Sequence, residues 1–431
     1  MRILSSSGLS TLGLLALSAH SLHADARDML TRAIVTGDLK TIDSLLTAGM
    51  DPDLPDRVGQ TPLSFAIVVA NQTGAVELLL ARHADPNVPV GGQGDTALQY
   101  AVRSGNTRLA SVLIAGGAQL DAKGPGGRTA LHVAVAGDRL DALHLLLGKS
   151  ADPNIRDAEG TSPLDDAVWR GSLDSVAILL AHGARLNEPH TQTGATPINE
   201  AAWRGHNSII QFLLQFYPNL EIADKRGYGP LDNAIRMGKE DSALLLLDAE
   251  PKERLAAPFL QRELDAAVKK DQARVADAVL RKGAPVNAPL PSGSTPLDAA
   301  AFAGASNVVR VLLDRGADPN LTGPNGSTPL EDAALKGFAG IAGMLIDRGA
   351  MLNQLNRNSG TSALYAAASF GRSETVKLLL DKGAHPGLCG GNRKSPYQVA
   401  IDNGYPDLAL QIKDHGGTET CKDQPAVTIA R

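Results

Sequence analysis

Two acidic pairs, Asp165-Asp166 and Glu331-Asp332, are the residues whose type and spacing come nearest to proton-transfer chemistry. A carboxyl acid beside a carboxylate base is a working arrangement for general acid–base catalysis. Both pairs, however, recur at one position of a repeating phrase. Recurrence favours a solvated helix face, or bonding from repeat to repeat, over catalysis. The chain has no Gly-x-Ser-x-Gly elbow, no His-Glu-x-x-His and no phosphate-cradling glycine loop between a strand and a helix. Its ten His are scattered, with His83 and His182 at expected helix ends, where capping is their natural role. Cys389 and Cys421 are the two cysteines, without metal-ligand spacing or neighbouring His. The sequence points to no catalytic residue, no metal and no cofactor.

Binding chemistry is better represented. The two Trp of the chain, Trp169 and Trp203, are each followed by an arginine, Arg170 and Arg204. Trp and Arg are the types most enriched at protein-binding hot spots. A guanidinium can also fork onto a carboxylate or stack on an indole.

Composition bounds what can position these residues. The chain of 431 residues holds 44 Gly and 25 Pro but only 7 Phe, 6 Tyr and 2 Trp. That mixture suits many short elements with a thin core of small side chains. Charge is balanced, 41 basic against 46 acidic residues, which argues against general nucleic-acid binding. Residues 1–24 carry Arg2 as their one formal charge, a short apolar stretch from Leu12 to Ala19, and Ala24 before Asp25. They read as a cleavable export signal. The apolar stretch is too short to span a bilayer, and no later segment looks transmembrane.

A repeat organises everything that follows. Thr61-Pro62-Leu63 is echoed by Thr129-Ala130-Leu131, Ser162-Pro163-Leu164, Thr196-Pro197-Ile198, Thr295-Pro296-Leu297 and Thr328-Pro329-Leu330. From Pro62 onward the middle positions step by 35, 33, 33, 34, 33, 66, 33, 34 and 33 residues. Degenerate copies at Met29-Leu30 and Glu263-Leu264 bring the number of repeats to twelve. A second phrase follows the first, as in Ala84-Asp85-Pro86-Asn87, Ala151-Asp152-Pro153-Asn154 and Ala317-Asp318-Pro319-Asn320. Between the phrases lie two apolar-periodic stretches split by a glycine. Thr is placed to cap the first helix, Pro to sit in its first turn, and the glycine to end it.

Period and phrase together resemble the ankyrin-repeat family over roughly residues 25 to 417. The resemblance implies an all-α repeat solenoid of stacked helix-turn-helix units joined by β-hairpin loops. The chain departs from the family wording in places. The family's His after the Leu survives only as His132, with Asp165, Asp232, Asp298 and Glu331 among its replacements. The mid-repeat Gly becomes Asp138 and Asp271 in the fourth and eighth repeats. The seventh repeat lacks the Gly-Ala-Asp phrase and the eighth lacks Thr-Pro, so residues 249–262 are either a joint or a decayed interface in one unbroken stack. The expected organisation is an export signal over 1–24, a first stack over 25–250, a second stack or continuation over 251–417 and a tail over 418–431.

The resemblance also places a binding surface. In the family the hairpin tips and first-helix ends line a concave groove, and the two residues before the mid-repeat Gly face it. That row contains Arg103, Trp169, Arg170, Trp203, Arg204, Arg236, Lys269, Lys270, Phe302 and Lys336. From the third to the tenth repeat it holds seven bases and no acid. The implied function is a non-enzymatic adaptor or inhibitor of the cell envelope that binds a protein with an acidic surface. Alternatives are a structural spacer, a secreted host-directed effector, and an enzyme with an unrecognised site. The expected location is the periplasm, with secretion as the alternative. There Cys389 and Cys421 are expected to pair and to tie the tail to the last repeat.

Overall fold

The computed structural model describes residues 26–56, 58–92 and 94–421. The expected export signal and the end of the tail, 422–431, lie outside the described residues. Twelve helix pairs follow one another, from residues 26–36 with Leu39–Thr47 to Pro396–Asp402 with Pro406–Asp414. The described residues fall into two compact units divided between Pro197 and Ile198. The first carries repeats one to five; the second carries repeats six to twelve, apart from Thr196 and Pro197.

The helix-opening phrase works as its chemistry dictates. Thr295 Oγ1 accepts the Asp298 N–H at 3.2 Å, and Thr61, Thr328, Ser362 and Ser395 cap their helices in the same way. Pro296 follows Thr295 at the helix start, where no intrahelical N–H is needed. Gly304 ends that helix at φ 78°, a left-handed conformation that costs an L side chain about 1–2 kcal/mol. Asp271 takes the same conformation in the eighth repeat, at φ 52°. It gains a compensating role: Oδ1 accepts the Val308 N–H at 2.9 Å and Oδ2 the Asn307 amide at 2.8 Å, both in the next repeat.

Packing follows the repeat. Within each compact unit, helices contact their own partner and the equivalent helix of the next repeat. First helices meet through small residues such as Ala101, Ala134, Ala300 and Ala333, all fully buried. Second helices contribute fully buried aliphatic residues, among them Leu79, Leu113, Leu246, Leu312 and Leu379. In the run Leu78-Leu79-Leu80 only the middle residue is buried, as a helix one turn wide requires.

The second phrase is a ladder. Asn87 Oδ1 accepts the Gln119 N–H at 2.8 Å, Asn154 Oδ1 the Arg185 N–H at 2.9 Å, and Asn320 Oδ1 the Met351 N–H at 2.8 Å. Each bond joins one hairpin to the next and contributes about 0.5–1.5 kcal/mol. Among the described residues, the paired strands are Pro89–Val90 and Asp95–Thr96, antiparallel with Val90 opposite Asp95.

Residues 249–262 lie inside the second unit. Helix Glu240–Ala249 is followed by a 3-10 turn, Lys252–Arg254, and by a helix of 13 residues, Ala257–Lys269. Arg254 Nη1 donates to the Leu220 carbonyl at 3.0 Å and pairs with Glu250 Oε2 at 3.0 Å. The missing Thr-Pro of the eighth repeat has a local substitute: Ala257-Pro258 opens the helix upstream of the degenerate phrase.

Tyr217, after the second helix of the sixth repeat, stands where the third and fifth repeats place Gly117 and Gly183, at φ 51°, and is 91% exposed. Its ring buries almost nothing to offset the left-handed backbone. Tyr217→Gly is expected to raise the stability of the second unit by about 0.5–1 kcal/mol, the relief of strain exceeding the entropy cost of glycine. Urea unfolding of the two proteins reads the difference; a destabilised glycine variant would contradict it.

Candidate functional site

The row of residues before each mid-repeat turn lies at the C-terminal ends of the first helices, beside the hairpins. In the first unit, helix Pro163–Arg170 ends on Trp169 and Arg170. Trp169 is 52% exposed, and the Arg170 guanidinium lies 5.8 Å from its ring centroid. Arg103 closes helix Ala97–Arg103 and forks onto Asp95 of the adjoining hairpin, at 2.7 and 3.1 Å.

The second unit carries the rest of the row. Trp203 and Arg204 end helix Pro197–Arg204. Trp203 is only part-exposed, with the Arg226 guanidinium of the next hairpin 4.6 Å above its ring. Arg204 Nε pairs with Glu200 at 2.5 Å. Arg236 stacks on Tyr228 at 4.0 Å, and Lys336 Nζ lies 4.1 Å from the ring centroid of Phe302, itself 46% exposed. Lys269 Nζ pairs with Asp265 at 2.7 Å, while Lys270 is exposed beside it.

Ion pairs divide the seven bases of the row into two groups. Three of its seven bases, Arg103, Arg204 and Lys269, are paired with carboxylates from outside the row. Arg170, Arg236, Lys270 and Lys336 carry no ion pair among the described residues. The Arg103 and Lys269 side chains remain largely exposed while their carboxylates are mostly covered. Two cation–aromatic partners, Arg226 and Tyr228, escape sequence reasoning because they sit in a hairpin and belong to neither repeated phrase. Met237 and Phe370 add exposed apolar surface at other positions of the row.

The acids of the two pairs are engaged by neighbouring side chains and backbone. Asp165 is bridged by Arg156 Nη1 at 3.3 Å and bonded to Ser162, and Asp166 is held by Arg128. Burial pushes the Asp165 carboxyl up, against the Ser162 bonds and the Arg156 charge. Glu331 accepts from Thr361 Oγ1 at 2.6 Å and Asn356 Nδ2 at 3.0 Å in the eleventh repeat. Of the two non-catalytic alternatives, bonding between repeats describes them and a solvated face does not. His132 does the same work: Nε2 meets the Thr161 carbonyl at 3.0 Å, and burial pushes its pKa down, keeping the ring neutral. His182 Nδ1 meets the Ile178 carbonyl at 2.9 Å, capping its helix. Among the described residues there is no group of three or more His, Cys, Asp or Glu that could hold a metal ion. No helix among them is long and apolar enough to cross a membrane.

Cys389, buried in the turn before the last repeat, is bonded to Cys421 beyond the final helix, with Sγ atoms 2.03 Å apart.

The sequence matches the family described as "Ankyrin repeats (3 copies)" over residues 68–157, 119–190, 164–254 and 264–357, and "Ankyrin repeat" over 359–390. Ankyrin repeat, SAM and basic leucine zipper domain-containing protein 1 of Dasypus novemcinctus is 32% identical over 124 residues, covering 20% of this chain and 26% of that protein. Cyclin-dependent kinase 4 inhibitor B of Rattus norvegicus is 34% identical over 99 residues, 23% of this chain and 75% of the inhibitor. The chain spans about a quarter of the length of the first of these relatives. Among solved structures, the ankyrin repeat domain of Bcl-3, a member of the IkappaB protein family, matches with a TM-score of 0.44 and 29% identity. That match covers 47% of this chain and 92% of the other.

Proposed function

The chain belongs to the ankyrin-repeat family, and on that premise we propose that it binds a folded protein partner through its first-helix ends and adjoining hairpins. Ankyrin repeats are protein-interaction modules, and one relative is by name the inhibitor of a kinase. The observation that carries the proposal is the exposed aromatic–cation row. Trp169 with Arg170 in one unit, and Phe302 with Lys336 in the other, present apolar rings beside bases without ion pairs. Aromatic anchors supply contact area and the bases select an acidic face. The protein acts as an adaptor or inhibitor without catalysis of its own.

The location we propose is the periplasm, or the exterior after secretion. Residues 1–24 support it, as does a disulfide, which persists in oxidising compartments. N-terminal sequencing of the native protein checks this: a chain beginning near Asp25 is expected, and an intact Met1 in the cytosolic fraction would overturn it. Affinity capture from the exported fraction tests the binding function. One dominant partner is expected, lost with Trp169→Ala or Phe302→Ala; a partner retained by both variants would place binding elsewhere.

A further inference from the structure

In the third and sixth repeats the residue after the Leu, or Ile, of the helix-opening phrase donates a hydrogen bond to the next repeat. Gln99 Nε2 reaches the Arg128 carbonyl at 2.6 Å and Asn199 Nδ2 the Ile222 carbonyl at 3.0 Å. In the ninth repeat this position is Asp298, an acceptor when ionised. Asp298 is 3% exposed, and its Oδ1 has no hydrogen-bond partner among the described residues. Its Oδ2 lies against Gly323, where an added Cβ would come within 2.2 Å. From the tenth repeat, Asp332, 8% exposed, stands on the helix Pro329–Lys336, which packs against the helix Pro296–Ala303, and its carboxyl meets that of Asp298. Two ionised carboxylates have no proton to place between them, so one of the pair must be an acid.

We propose that Asp298 and Asp332 share one proton at neutral pH, forming an acid–acid clasp between the ninth and tenth repeats that opens in alkali.

The surroundings supply no counter-charge. Asp265, on the first helix of the eighth repeat, is committed to Lys269 at 2.7 Å. Glu331, beside Asp332, is committed to Thr361 and Asn356 and adds negative charge. Tyr365, from the eleventh repeat, accepts from Asn392 at 2.8 Å. On the second helices, Arg310 is exposed, Asp314 pairs with Arg348, and Asp347 pairs with Lys382. No Lys, Arg or His forms an ion pair with Asp298 or Asp332 among the described residues. Ser294 and Ser327 offer hydroxyls to Asp298 and Asp332 respectively. Burial, and then the Asp298 carboxyl, push Asp332 up to about 8; burial raises Asp298 as well.

The sign follows. A carboxyl held above its unfolded pKa keeps its proton in the fold at a pH where the unfolded chain has released it. Stability from this proton is therefore full below the ordinary carboxyl value of 3.8, falls as pH rises, and levels off above about 8. Phe302 and Lys336 end the same two helices that carry Asp298 and Asp332. Release of the clasp thus acts on the stacked pair at the proposed binding row.

The test is a carboxyl titration of the full chain labelled with 13C at aspartate side chains only. One carboxyl carbon is expected to titrate near pH 8 and to vanish from that range in D298N and D332N, while E263Q leaves it in place. Thermal unfolding of the wild type is expected to weaken from pH 6 to pH 9, and D332N to flatten that slope. If every aspartate carbon of the wild-type protein titrates below about pH 6, the clasp does not exist. That outcome is read on the wild type, so it stands even where a variant fails to fold.

Discussion

Reducing the Cys389–Cys421 bond is expected to destabilise the C-terminal repeats by about 3–4 kcal/mol, the loop-closure value for a link of this span. The cysteines are 32 residues apart in sequence and 6.0 Å apart at Cα. Between them lies the whole of the twelfth repeat, including Pro396–Asp402 and Pro406–Asp414. Among the described residues no repeat packs on the far side of the twelfth, and its Ile401 and Leu410 are exposed. Binding the segment after the last helix back to the turn before it closes that repeat into a loop. Hydrogen exchange with and without reductant, and in a Cys389→Ser, Cys421→Ser double variant, checks the effect. Protection should fall first in the twelfth repeat and then in the eleventh. Equal protection in both redox states would show that the bond carries no load.

The second large effect is on binding. Trp169→Ala and Phe302→Ala are each expected to weaken partner affinity by about 2 kcal/mol, roughly 30-fold, as hot-spot anchors do. Both rings are about half exposed, so their removal leaves the fold intact. Trp203 is a less clean probe: Arg226 stacks on it, and its loss also releases a hairpin contact. Arg170→Glu is expected to slow association and reverse its salt dependence, because a base without an ion pair becomes a like charge facing the partner. Titration calorimetry gives the affinities and stopped-flow mixing gives the rates. Unchanged values in folded variants would remove the row from the binding site.

Much of the architecture is legible in the sequence because each signal is local. Thr295 before Pro296, Gly304 at the turn and Asn320 in the hairpin each do their work within a few residues or one repeat. The repeat register also places Arg170 and Lys336 at first-helix ends, where the structure has them. What escaped reading depends on contacts between distant positions. Asp95 neutralises Arg103, and Arg226 covers Trp203, from hairpins with no repeated wording at those places. The start of the helix Ala257–Lys269 was hidden because its proline precedes the expected phrase. The division between Pro197 and Ile198 falls within an ordinary Thr-Pro opening, with no compositional mark. The burial of Asp298 and Asp332 was also invisible: in sequence an acid after the cap looks like a solvated residue complementing the helix dipole.

Site-specific photocrosslinking tests the central claim, binding through the first-helix ends, most directly. A photoreactive residue is placed at position 169 or 302 in the row, and at position 310, exposed on the helix Ser306–Asp314. The account predicts one dominant protein adduct from each row position and none from position 310. An adduct formed only at position 310, or no adduct from either row position in a preparation that retains the partner, would contradict it.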